Sequence, residues 1–365
     1  MNILLLGGTG AMGISLCEIL NEQGYTIYVT SRSHHADYGN VHYIIGNAKN
    51  DDFIAEILRK HTVDVLVDFM VYSTEQFKKR LDLLLSGVKQ YIFFSSSRVY
   101  NESAEPIKES SLRLLDSTKD KEYLQTDEYA LAKAREEDVL TNSKYKNWTI
   151  IRPYITYNVN RLQLGVLEKE DWLYRALQGR TIVFSKAVSE HYTTLTYGYN
   201  VAQGIASTLG KDEAMGQKFH IVAPKPMKWK DVLALYVDVI EQMTGKRPEV
   251  YLHEDMNMAC KVYGNYYQVH YDRLFDRVFD SEKICRLNPA LEFTSMQEGL
   301  KKCLTGFVEA YKEKNVFLPI NWRNEAYRDR LTGEHSSFSE MKGWRNKLKY
   351  VLYRYTWFMQ YKCRG

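Results

Sequence analysis

Along the first third of the chain, short unbroken apolar runs alternate with stretches in which apolar residues recur every three or four positions. Residues 3–6, 25–30, 41–45, 63–69 and 91–95 read as strands, and 11–23, 52–61 and 74–86 as helices that stop at or near a glycine or histidine. A long helix is predicted over 128–140 and a further strand over 148–152. Strands that are apolar throughout, alternating with amphipathic helices, imply a parallel sheet covered on both faces.

After Pro153 the pattern loosens. Helical spacing recurs over 168–178, 201–209, 229–244 and 295–311, mixed with short strands at 181–184, 218–222 and 249–252. The expectation is an α/β fold. A doubly wound parallel sheet occupies 1–155 and is completed by parts of 190–225. A smaller substrate-binding lobe takes most of 156–340, and a basic aromatic helix covers 341–365.

The chain has 365 residues, enough for one large domain and a smaller one. Its net charge of +4 is too small to argue for nucleic-acid binding. The charge is uneven, however. From Lys342 onward the chain carries Lys342, Arg345, Lys347, Lys349, Arg354, Lys362 and Arg364 and no acid. Five cysteines, Cys17, Cys260, Cys285, Cys303 and Cys363, form no C-x-x-C pair, which disfavours a disulfide framework and fits a reducing cytoplasm. With the first strand starting at Asn2, no leader is expected, and no apolar run reaches the roughly 18 residues needed to span a bilayer.

The first strand runs into GGTGAMG, in which Gly7, Gly10 and Gly13 are spaced G-x-x-G-x-x-G before a helix. A tight turn needs a residue without Cβ, a pyrophosphate must approach the backbone closely, and the helix N-terminus offers free N–H groups to it. Gly7, Thr9, Gly10, Ala11, Met12 and Gly13 are therefore assigned to a dinucleotide in a Rossmann fold. The second strand ends in Thr30-Ser31-Arg32 rather than in an acid. Without a carboxylate for the ribose 2′-hydroxyl, and with Arg32 able to meet a 2′-phosphate, NADP is favoured over NAD. Asn47, Ala48, Phe69 and Pro153, at the ends of later strands, complete the candidate cofactor site.

Tyr129 and Lys133 form a Y-x-x-x-K motif on a helix, so both side chains share one face. A nearby ammonium favours the phenolate, and the tyrosine can then move a proton at a hydroxyl or carbonyl. The pair follows Ser95-Ser96-Ser97-Arg98-Val99-Tyr100 by some thirty residues. That segment closes a strand, where ligands bind in doubly wound sheets.

GGTGAMG, SSSRVY, YALAK and Arg152-Pro153-Tyr154 together resemble the extended short-chain dehydrogenases/reductases, the nucleotide-sugar epimerase/dehydratase family. The likeness covers residues 1–155 and extends to TTLTYGYNVAQGI and to the FHIVAPKPMKWKDVLALYVDVI and FDSEKICRLNP segments. It implies Ser96 as the substrate-holding hydroxyl, Tyr129 as the acid/base, and Lys133 as the residue that binds the nicotinamide ribose. It implies Ser97, Arg98 and Tyr154 as substrate neighbours, with His191 as a further candidate. It also implies a homodimer built on the helices over 74–86 and 128–140. The sequence departs from the family where dehydratases carry an Asp-Glu pair, here Ser97 and Arg98, so 4,6-dehydration is not expected. Ile155, Asn158 and Thr193 also replace family residues on the substrate side.

The expected activity is hydride transfer at C4 of a nucleotide-linked sugar, by an epimerase or a 4-ketoreductase. The alternative is a non-catalytic relative that binds RNA or senses redox state. His220 is a second histidine that could touch substrate. His34 and His35 lie near Arg32, and Trp148, Trp172 and Trp229 are expected to pack inside. His42, His61 and His253 have no metal-ligand spacing. Apolar residues at Leu348, Val351, Leu352, Tyr355 and Phe358/Met359 recur at helical spacing among the basic residues. Such a helix either lies on an anionic membrane face or docks on protein.

Overall fold

A computed structural model describes residues 1–254, 266–314, 316 and 318–356. Cys260, Cys363 and the tail positions Phe358, Met359, Lys362 and Arg364 lie outside them. The chain divides into two compact units. The first comprises residues 1–158, 194–226 and 278–296, and the second 159–193, 227–277 and 297–365.

The first unit is built on a seven-stranded sheet. Its strands are β1 (Asn2–Leu6), β2 (Thr26–Ser31), β3 (Val41–Ile45), β4 (Val65–Asp68), β5 (Gln90–Phe94), β6 (Trp148–Pro153) and β7 (Gln217–Ile221). They lie in the order β7-β6-β5-β4-β1-β2-β3, and every neighbouring pair is parallel. Between β1 and β4 the chain reverses its direction of progress across the sheet, which opens a crevice at the carboxyl ends of the strands.

Alternate residues of each strand face opposite sides. Ile3 and Leu5 pack with Leu16, Leu20, Val201 and Ile205, under the helices α1 (Ala11–Glu22) and, later in the chain, Gly198–Ala206. Leu4 and Leu6 pack with Ile54, Ile57, Phe77 and Leu84, under α2 (Asp51–Lys60) and α3 (Thr74–Leu85). Both faces are dry, which is why the strands read as continuous apolar runs. The strand expected over 63–69 is shorter, Val65–Asp68. Val63 and Asp64 precede it, and the Asp64 carbonyl instead accepts from the Lys89 and Gln90 amides at 2.9 and 3.1 Å. The helix α4 (Tyr129–Thr141) is joined to the start of α3: Asp127 accepts from the Thr74 hydroxyl at 2.7 Å. A capping box of Ser73 and Gln76 fixes that start.

The second unit contains two small strand pairs, Ile182–Ser185 with Val250–His253 and Tyr192–Thr193 with Met227–Lys228. Trp172 and Tyr236 stack at its centre, ring centroids 4.4 Å apart. The helix Trp322–Thr332 was not legible as an apolar pattern. Its buried residues are Trp322, Glu325, Ala326, Tyr327, Arg328 and Asp329, half of them charged. Those carboxylates meet Arg175, itself without solvent exposure, whose guanidinium lies 2.7 Å from both Glu325 and Asp329. Arg328 adds a second buried cation at 3.3 Å from Glu325.

Burial of such ions is tolerated only while every partner is present. Arg175→Met is expected to lower the stability of the protein by about 3–5 kcal/mol, because Glu325, Asp329 and Glu334 would all lose this cation. Urea unfolding measures this, and a loss of less than about 1 kcal/mol would contradict the assignment.

Candidate functional site

The site is assembled at the carboxyl edge of the sheet, where β1, β2, β3, β4, β5 and β6 each deliver a short segment. The β1–α1 turn comes first. Gly7 sits at φ +71°, a backbone region that side chains rarely adopt, and a Cβ there would approach the Met70 sulfur to 2.8 Å. The Gly7 amide donates to the Thr30 hydroxyl at 3.0 Å, tying the turn to β2. A Cβ on Gly13 would collide with the carbonyl of Gly8 and stand 2.7 Å from its Cα. Gly10 differs from both. A Cβ there would meet nothing within 4 Å, so protein packing does not explain the absence of a side chain.

Gly10 is also the N-cap of α1, with no side-chain cap and no acid in the first turn. The first N–H groups of a helix have no intrahelical acceptor. Here they face open space beside a residue with no side chain, an arrangement suited to an anion that comes close to the backbone. Thr9 is exposed, Met12 half-buried against the core, and Ala11 opens the helix.

At the end of β2, Ser31 is buried and its hydroxyl accepts from the Ser33 amide at 3.1 Å. Arg32 is exposed and makes no hydrogen bond or ion pair among the described residues. His34 and His35 are also exposed, with His35 stacked on Tyr43. After β3, Asn47 is exposed and its side chain accepts from the Lys49 amide, while the Ala48 carbonyl accepts from Arg80 at 2.8 Å. Phe69, after β4, rests on Phe94 at 4.4 Å between centroids. Pro153 is the last residue of β6.

The end of β5 carries the serines. Ser96 is buried, and its oxygen accepts from the Arg98 amide at 3.2 Å while its own O–H makes no hydrogen bond among the described residues. Ser97 has no exposure, and its hydroxyl donates to the Arg152 carbonyl at 2.8 Å, a clamp between β5 and β6. Arg98 swings its guanidinium over the Tyr129 ring at 5.3 Å and pairs with Glu128 at 2.7 Å. Arg98 thus touches both Ser96, through its amide, and Tyr129, through its guanidinium. The Tyr129 side chain is half-buried and its hydroxyl makes no hydrogen bond among the described residues.

Lys133, one turn along α4, is buried with its ammonium 4.7 Å above the Phe93 ring. It donates to Glu136 at 2.9 Å, leaving two of its three N–H groups without an acceptor among the described residues. Burial pushes the Glu136 carboxyl up to about 7, against the pull of Lys133. Burial also raises Asp68, at the end of β4, which accepts from the Tyr91 hydroxyl at 2.9 Å and from Tyr72 at 3.0 Å. Two buried carboxyls therefore share the field of one ammonium. Next to Glu136, Glu137 is held low despite its burial, because Arg152 binds it at 2.5 and 2.7 Å. Arg152 also donates to the Tyr100 hydroxyl at 2.8 Å. Sequence reading passed over Glu136 and Glu137, since acids in a helix ordinarily mark a solvated face; only their place just after Lys133 could have drawn notice.

The remaining candidates have other surroundings. Tyr154 is buried, its ring 5.3 Å from that of Phe279. His220 is fully buried, shares a hydrogen bond with the Asp280 carbonyl, and has its basicity lowered by burial. His191 belongs to the second unit and sits 3.1 Å from Asp276. Trp148, Trp172 and Trp229 are buried.

The geometry defines a Rossmann-type unit with a hydroxyl, a phenol and an ammonium at its carboxyl edge. Residues 7–175 match the family described as NAD(P)H-binding. The UDP-glucuronic acid 4-epimerase of Bacillus cereus, solved with UDP-glucuronic acid and NAD, superposes with a TM-score of 0.62 at 15% identity, over 85% of this chain and 99% of that one. The dTDP-glucose 4,6-dehydratase of Bacillus anthracis, solved with NAD, superposes with a TM-score of 0.63 at 15% identity, over 86% and 97%. A chloroplast stem-loop binding protein of 41 kDa from Arabidopsis thaliana is 26% identical over 240 residues, 61% of this chain; the chain spans 59% of that relative. The chain therefore has the fold of these epimerase and dehydratase structures, and its residues 7–175 are similar to NAD(P)H-binding proteins.

Two predictions follow from the turn and from the buried acids. Gly13→Ala should unfold at distinctly lower urea than wild type, whereas Gly10→Val should unfold like wild type yet lose at least about tenfold in NADPH affinity by calorimetry. Equal affinity in Gly10→Val would remove the ligand reading of that glycine. Glu136 has a folded value above its ordinary 4.5, so its ionisation costs stability. That cost is absent below 4.5, grows as pH rises and is complete above about 7. Unfolding midpoints should therefore fall from pH 5 to pH 8 more steeply in wild type than in Glu136→Gln, by on the order of 3 kcal/mol in stability. Parallel pH profiles would contradict this.

Proposed function

We propose that the protein is an NAD(P)-dependent oxidoreductase acting at C4 of a nucleotide-linked sugar, as a 4-epimerase or a 4-ketoreductase. The observation that carries the reading is that Arg98, whose amide binds Ser96 after β5, lays its guanidinium over Tyr129 at the start of α4, in a unit that also carries the open turn at Gly10.

The residues present fit a dinucleotide. The α1 N-terminus and Gly10 would receive the pyrophosphate, the spare N–H groups of Lys133 the nicotinamide ribose, and Ser31 with Arg32 the adenosine ribose. When bound, the nicotinamide supplies the hydride acceptor or donor. The chain's own residues manage the proton. The Ser96 hydroxyl holds the sugar oxygen, and the Tyr129 hydroxyl takes the proton from that oxygen on oxidation and returns it on reduction. Arg98, over the Tyr129 ring, adds positive charge where negative charge develops on oxygen. Glu128 holds that guanidinium in place.

The unpaired Arg32 favours NADP and with it a reductase, which exchanges its cofactor in each turnover. The similarity to an epimerase solved with NAD favours a retained cofactor. A second reading, RNA binding without catalysis, is supported by the stem-loop binding relative. Retention of Ser96, Tyr129 and Lys133 speaks against it, since a pure binder has no use for them.

Tyr129→Phe is expected to lower turnover by at least about a hundredfold on whichever UDP- or dTDP-hexose, or 4-keto derivative, the wild type converts. Turnover within a few-fold of wild type would refute the assigned mechanism. Arg32→Ala should weaken NADPH binding by about tenfold and leave NADH binding within about twofold. Equal losses for the two cofactors would place Arg32 away from the 2′-phosphate. A wild-type protein that converts none of these sugars but binds RNA hairpins with a steep salt dependence would favour the second reading.

A further inference from the structure

The C-terminal helix Trp344–Tyr355 is attached to the second unit by one face and leaves another unused. Tyr350 is its buried residue. The Tyr350 hydroxyl donates to Asp329 at 2.6 Å and accepts from the Ser336 amide at 3.0 Å, and its ring meets Trp322 and Phe338 edge-on. At about 100° per residue, Trp344, Leu348 and Tyr355 fall on one stripe well round the helix from Tyr350. That stripe faces solvent: Trp344 is 69% exposed, Leu348 49% and Tyr355 60%. Val351, half-buried, falls within it.

Cations border the stripe on both sides. Arg345 lies along one edge and Lys347 along the other, with Lys349 further round the helix, all exposed. None of the three forms an ion pair among the described residues, and the helix contains no acid. Trp344 carries Arg345 against its ring at 5.7 Å, so an aromatic and a cation are offered together.

We propose that this face docks on an anionic lipid bilayer, with the helix lying in the interface plane. The occupant follows from chemistry. The apolar stripe needs a partner that removes it from water, and the uncompensated cations need one that is negative beside it. An anionic bilayer supplies acyl chains and headgroups in that arrangement. A second copy of the helix would face cation against cation. A nucleic acid would satisfy the cations but leave Leu348 and Val351 in water. The inference is independent of the catalytic reading.

The test is flotation of the full-length protein with vesicles of phosphatidylcholine alone and of phosphatidylcholine with about 30 mol % phosphatidylglycerol. Wild type should float with the anionic vesicles and not with the neutral ones, and about 0.5 M salt should reduce its recovery severalfold. Trp344→Ala/Leu348→Ala and Lys347→Glu/Lys349→Glu should each lose flotation while keeping the wild-type melting temperature, because all four side chains are exposed. The proposal is overturned if wild type stays at the bottom with anionic vesicles, or if it floats equally with neutral ones. It is equally overturned if the variants float like wild type. Two further outcomes would overturn it. One is loss in Trp344→Ala/Leu348→Ala of a concentration-dependent dimer seen by sedimentation, with no vesicle binding in wild type. The other is loss in the charge variant of RNA-hairpin binding alone.

Discussion

A side chain at position 13 would collide with the Gly8 backbone, and the absence of one lets α1 start against the end of β1. The rest of the sheet edge is arranged round that contact. It sets where the uncapped N–H groups of α1 point, and with the Gly7–Thr30 hydrogen bond it fixes β1 beside β2. Gly10 then stands with nothing beside it. Two of the three motif glycines are thus required by the protein's own packing and backbone, whereas nothing in the described protein crowds the third.

Helix α4 buries apolar residues, among them Leu131 and Leu140, together with charged ones that reach the sheet. The Lys133 ammonium lies over Phe93 of β5, and Glu137 pairs with Arg152 of β6. Buried ions are costly unless well partnered, and their geometry is correspondingly fixed. The consequence for the site is a rigid platform. Tyr129 opens the helix, Arg98 lies over it, and the backbone of Arg98 is bonded to Ser96. The spread between the two acids, one raised toward neutrality and one held low, shows how strongly position governs charge within one helical turn.

Most of the first unit was legible in the sequence because its energetics are apolar. Ile3 to Leu6, Val65 to Val67 and Ile92 to Phe94 are buried on both sides of one sheet, and such strands leave a continuous trace. The glycine turn after β1 was legible because glycine spacing carries the steric argument directly. The helix Trp322–Thr332 was not, because its inward face spends Glu325 and Asp329 on Arg175 across a long stretch of sequence. Glu136 was missed for the same reason. A helix packed through ion pairs looks like a surface helix until its partners are known. The C-terminal helix shows the converse. Its apolar spacing was visible, yet the face that docks is the one around Tyr350, and the legible stripe points outward.

The central claim is that the glycine turn of the first unit holds a nicotinamide dinucleotide. Native mass spectrometry of the purified chain, alone and with added NADPH or NADH, tests it most directly. The account predicts one dinucleotide per chain, retained from purification or taken up on addition. A chain that stays bare at saturating levels of both, while remaining folded, would contradict it.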